Sequence, residues 1–68
     1  MKRDNSIWAH IAREYLRAKK VYRYHLKKIA EMTDDEVIRA CHWWYTEQGL
    51  ENEYRSFEAA CIKVENEA

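Results

Sequence analysis

Residues 5–32 read NSIWAHIAREYLRAKKVYRYHLKKIAEM, and the reading of this stretch decides the fold. It holds neither Gly nor Pro. Trp8, Tyr15, Tyr22 and Ile29 return every seven residues, and Ile11, Ala18, His25 and Met32 follow each of them by three. Ala12 and Leu26 follow by four, while Ile7 and Val21 precede by one. The spacing predicts one long helix over 5–32 with an apolar stripe broader than a coiled-coil seam. Arg13, Arg17, Lys20, Arg23 and Lys27, with Tyr24 among them, would form its basic opposite face. Asp4, Asn5 or Ser6 can cap its start, since each side-chain oxygen can accept from an orphan backbone amide.

Outward from this stretch, Thr33-Asp34-Asp35-Glu36 has capping-box spacing: Thr33 caps the third amide and Glu36 reaches back. Asp34 and Asp35 complement the positive end of the new helix. A second helix is therefore expected over 34–48, with Val37, Cys41 and Trp44 on one stripe and Ile38 and Tyr45 widening it. Gly49 suits the left-handed position after its end, with Leu50 folding back on the last turn. A third helix is expected over 51–66. Leu50, Tyr54, Phe57, Cys61, Val64 and Ala68 alternate by four and three. Trp44 to Leu50 is out of phase, which argues for a break at Gly49 over a continuous helix.

The chain's 68 residues allow a single small helical domain, 1–68, whose core is marginal for a monomer. The hydrophobic fraction is 47% and the aromatic fraction 13%, enough to argue against disorder despite 35% charged residues. At about 1.5 Å per residue the first helix would run roughly 40 Å, against roughly 22–25 Å for each of the others. Its stripe would then outreach its own companions. The expected architecture is all-α: a long basic helix, then two shorter acidic helices folded back on it as a helical hairpin or three-helix bundle, paired as a homodimer. In architecture this is similar to short helical-hairpin regulators of the Rop type, without a shared motif.

The zero net charge conceals a split. Residues 1–31 carry nine Lys or Arg against three acids, a net of +6; residues 32–68 carry three against nine, a net of −6. Cys41 and Cys61 lie on apolar stripes and read as buried free thiols of a reducing cytoplasm. The N-terminal segment lacks the apolar core of a secretory signal, and no run is long enough to span a membrane.

Cys41-His42-Trp43-Trp44-Tyr45 cannot all face one core, because successive helical residues point about 100° apart. With Cys41 and Trp44 inward, Trp43 and His42 lean outward. Trp43, His42 and Tyr45, with Trp8, are the candidate partner-binding residues, since exposed aromatics anchor interfaces. Arg13, Arg17, Lys20, Arg23 and Lys27 are the candidate nucleic-acid contacts, with Tyr22 or Tyr24 stacking on bases. Against that second reading stand the neutral chain and the acidic third helix.

The His and Cys residues lack the paired spacing of a zinc site, and no other cofactor motif is present. Cys41 and His42, adjacent on a helix, aim apart and do not make a nucleophile–base pair. The sequence therefore points away from an enzyme. It points to a small cytoplasmic protein-interaction module, an adaptor, inhibitor or regulator of the kind phages and mobile elements encode. Its expected partners are a second copy of itself and an unidentified protein. The alternative is a nucleic-acid-binding regulator.

Overall fold

The computed structural model describes residues 4–67. In chain order these form helix α1 (Asn5–Ala18), an antiparallel ribbon of β1 (Arg23–Tyr24) and β2 (Lys27–Lys28), a 3-10 turn (Ile29–Glu31), helix α2 (Asp34–Glu47) and helix α3 (Glu51–Glu67). Each helix packs on the other two, giving the expected all-α three-helix bundle. The expected caps are present. The Asp4 carboxylate accepts from the Ser6 and Ile7 amides, and the Thr33–Glu36 capping box is complete. The Asp4 amide also donates to the Glu65 carboxylate, tying the start of α1 to the end of α3.

The first helix is not the long rod expected over 5–32: it stops at Ala18. Lys20 adopts a left-handed φ of 61°. The Val21 amide donates to the Leu16 carbonyl at 2.8 Å, and the Lys20 amide donates to the Arg17 carbonyl at 2.9 Å. These two bonds define a Schellman cap, and Val21 packs back on the core as such a cap requires. The same motif ends α2. Gly49 has φ 71°, Leu50 donates to Tyr45 at 2.8 Å and Gly49 to Thr46 at 3.1 Å. One stop carries the usual glycine and the other carries a lysine.

The stop has a physical reason. Val21-Tyr22-Arg23-Tyr24 is rich in β-branched and aromatic residues, which lose side-chain freedom in a helix and suit an extended ribbon. A rod continued to Met32 would also carry its apolar stripe past partners only about 21–26 Å long. Folding back instead buries Ile29 and Met32 among the other core residues. The ribbon pairs Arg23 with Lys28 and Tyr24 with Lys27 across a two-residue turn of His25 and Leu26. His25 has φ 56° there, a conformation His tolerates better than most side chains. Leu26, expected on the apolar stripe, is instead 98% exposed at the tip.

One core joins Trp8, Ala9, Ala12 and Leu16 of α1 to Val37, Ile38, Ala40, Cys41 and Tyr45 of α2 and Phe57 and Cys61 of α3. Phe57 is its aromatic hub. Trp8 meets it edge-on at 5.6 Å, Tyr15 at 5.5 Å, and Tyr54 tilts against it at 5.2 Å. Small residues at Ala9, Ala12 and Ala40 let the backbones approach, and the large rings fill the space between. With α1 at 14 residues, α2 at 14 and α3 at 17, the helices match in length. The length mismatch that called for a second chain is therefore absent.

Candidate functional site

The β1–β2 ribbon lies across α2 as a strap. Glu36, Arg39, Ala40, Trp43 and Glu47 form one stripe of α2, at helical spacings of three and four. At the start of the stripe the Lys27 ammonium reaches both oxygens of Glu36 at 2.9 Å. At its end the Tyr24 hydroxyl donates to Glu47 at 2.6 Å. This bond, made by the neutral phenol to a carboxylate, pushes the Tyr24 pKa from 10.0 up to about 12. Between the two ties a groove of about 270 Å³ opens. It is lined by Tyr24 and His25 of the strap, Met32, and Ala40 and Trp43 of α2, with Lys27, Glu36 and Arg39 at its rim.

The groove has an apolar floor and an aromatic wall. Met32 and Ala40 are buried, the Trp43 residue is 52% exposed, and the Tyr24 and His25 rings meet edge-on at 4.3 Å. The rim charges are largely satisfied. Glu36 also accepts from the Thr33 amide, which with Lys27 lowers its pKa from 4.5 to about 2. Arg39 pairs with Asp35 at 2.6 Å. An apolar side chain entering the groove therefore meets surface that needs no new charge partner.

The expected partner-binding residues separate. Trp43 stands at the groove. His42 is exposed but turns to α3, its ring edge-on to Tyr54 at 4.9 Å. Tyr45 and Trp8 are out of a partner's reach: both are buried in the core, Tyr45 at 0% exposure. The rotation along α2 that brings Trp43 out carries Tyr45 in, and α1's apolar face carries Trp8 onto Phe57.

The expected basic face is likewise redistributed, because the helix that would carry it ends at Ala18. Arg13 is a structural brace, donating to the Met32 carbonyl at 3.0 Å and pairing with Asp34 at 3.3 Å. Lys27 is the strap's tie. Lys20 sits in the left-handed cap and Arg23 on the ribbon; with Lys28, these have no ion-pair partner among the described residues. Arg17 is exposed and lies 3.6 Å from Glu14. Arg13 and Arg17 do meet again, with Lys28 and Tyr22, around a second cleft of about 230 Å³ lined also by Val21, Ile29 and Ala30. Tyr22, Leu26 and Lys28 are surface residues that helical periodicity hid. The run Val21–Tyr24 was the signal that would have exposed them.

Cys41 and Cys61 are buried free thiols. Burial, with Cys61 nearby, pushes the Cys41 pKa from 9.0 to about 12, the reverse of what a nucleophile needs. His42 points away to the surface, so the adjacent pair is not assembled for catalysis. Among the described residues no group of three or more His, Cys, Asp or Glu side chains is placed to hold a metal ion. No described helix is long and apolar enough to cross a membrane. No family model, curated protein or solved structure significantly matches this chain.

Proposed function

We propose that the protein is a small interaction module, an adaptor, inhibitor or regulator, that docks a partner protein through the groove beneath its strap. The carrying observation is Trp43. In a chain whose other two indoles lie in or against the core, this one is half exposed beside an apolar floor. Exposed Trp next to a preformed depression is the usual anchor of a protein interface. The groove, about 270 Å³ and open to solvent, has room for an inserted apolar side chain of a protein. Leu26, at the strap's tip, extends the contact surface.

Binding rather than catalysis is supported by the raised thiol pKa and by the shallow surface around Trp43. A cytoplasmic setting is consistent with two buried cysteines left as thiols. A compact regulator encoded by a phage or mobile element fits the same size and build. The reading needs one copy of the chain.

The test is affinity capture from nuclease-treated lysate of the native host, using the wild-type chain, Trp43→Ala and Tyr22→Ala. A protein retained by wild type and Tyr22→Ala, but lost by a Trp43→Ala variant with unchanged circular dichroism, supports the reading. Retention that is indifferent to Trp43, or no retained protein, overturns it.

A further inference from the structure

We propose that the cleft between α1 and the strap binds single-stranded nucleic acid, with Tyr22 stacking on a base and Arg17 and Lys28 taking the flanking phosphates. This site lies apart from the Trp43 groove and does not depend on it. Its geometry differs from a basic helix face. The chain breaks after Ala18, returns as the ribbon, and so faces cations from two elements toward one depression. Arg13 and Arg17 come from α1, and Lys28 from β2. Arg23, cross-strand partner of Lys28, lies on the same face of the ribbon.

Three observations carry the choice of ligand. First, the cations in this region are available. Lys20, Arg23 and Lys28 have no ion-pair partner among the described residues, and Arg17 is held only by an exposed contact of 3.6 Å to Glu14. Exposed pairs of this kind are weak, so a phosphate can displace Glu14 from Arg17. Asp34 is held by Arg13, Glu36 by Lys27 and Glu53 by Lys19, so none of these three acids is paired with Arg17 or Lys28.

Second, an aromatic ring stands among them. Tyr22 is 63% exposed although its neighbours Val21 and Ile29 pack on the core. A ring offered to solvent between cations is the arrangement that stacks a base while its phosphates are neutralised. A bare phosphate would leave the ring unused. Third, the cleft's roughly 230 Å³ admits one planar base but not an enclosed nucleotide, which suits a polymer passing over the surface. Arg13, fixed by Met32 and Asp34, forms a rigid wall rather than a mobile grip.

The test is fluorescence anisotropy of a labelled single-stranded oligonucleotide of about ten nucleotides, titrated at salt from about 50 mM upward. Binding is expected to weaken with salt. The Arg17→Gln plus Lys28→Gln double variant should flatten the log–log salt slope by about 1.4, at about 0.7 per lost phosphate contact on a single strand. Tyr22→Ala should weaken binding at least about fivefold, and Tyr22→Phe should retain it. Trp43→Ala should leave binding unchanged, which separates this site from the protein-docking groove. Circular dichroism confirms that each variant is folded. Absence of binding at about 50 mM salt, affinity indifferent to Tyr22→Ala, equal affinity for a duplex of the same length, or loss of binding in a folded Trp43→Ala variant would each overturn the proposal.

Discussion

Replacing Lys20 by glycine should make the protein more stable, and the sign of the effect tests the break on which the fold turns. Lys20 has φ 61°. A side chain in the left-handed region costs about 1–2 kcal/mol, which glycine does not incur. Glycine gives back roughly 0.4–1 kcal/mol because its unfolded chain has more freedom to lose. The net expectation for Lys20→Gly is a gain of about 0.5–1 kcal/mol, or roughly 3–6 °C in melting temperature for a domain of this size. Gly49→Ala exchanges the same terms in reverse at the matching position of α2. A Cβ built there meets nothing within 4 Å, so backbone conformation alone sets its penalty. It should lose about as much as Lys20→Gly gains. Lys20→Ala removes the charge without relieving the backbone and should change little. Thermal melts followed at 222 nm, repeated in urea, measure all three. Had the helix continued through Lys20, glycine would destabilise it by about 1 kcal/mol. A lowered melting temperature for Lys20→Gly would therefore refute the Schellman stop at Ala18.

Thr33→Ala should cost about 1 kcal/mol through the lost cap, visible as a lower urea midpoint with an unchanged slope. Glu36 has its folded pKa lowered from 4.5 to about 2, chiefly by the Thr33 amide and then by Lys27. Its stabilising contribution is thus full above about pH 4.5 and is lost as pH falls toward 2. In acid titrations Glu36→Gln should flatten stability across that window; an identical acid limb would contradict the hydrogen bonds. Phe57→Ala removes the ring against which Trp8, Tyr15 and Tyr54 pack and should cost about 3–5 kcal/mol. A 68-residue domain has only about 3–10 kcal/mol in total, so a near-wild-type melt would disprove the hub. Iodoacetamide at neutral pH should leave Cys41 and Cys61 unmodified in the native protein and label both in denaturant, as mass spectrometry would record.

What sequence could and could not reveal follows from where each signal resides. Thr33 and Glu36 were readable because a hydroxyl and a carboxylate three residues apart have a specific job at a helix start. Gly49 was readable because no other residue so freely takes its conformation. Lys20 performs the same task with a side chain that normally favours helices, so the stop itself carries no mark and only the β-favouring run Val21–Tyr24 after it signals the break. Periodicity then misled: Tyr15, Tyr22 and Ile29 keep a sevenfold spacing straight through the break. The folded chain uses Ile29 in the core but leaves Tyr22 and Leu26 at the surface. Trp43 was correctly placed outward from helical geometry. Tyr45 and Trp8 lie on the apolar stripes that periodicity assigns, and they are buried there instead of being offered to a partner. The second cleft is illegible in the sequence, since its cations share a surface only after the chain has turned back.

The contact between the Asp4 amide and the Glu65 carboxylate has an architectural consequence. It brings the outer ends of the bundle side by side, while Leu26 projects from a turn remote from them in sequence. A covalent link between the outer ends and a new opening at the His25–Leu26 turn should keep the packing of the three helices while changing which of them emerges first.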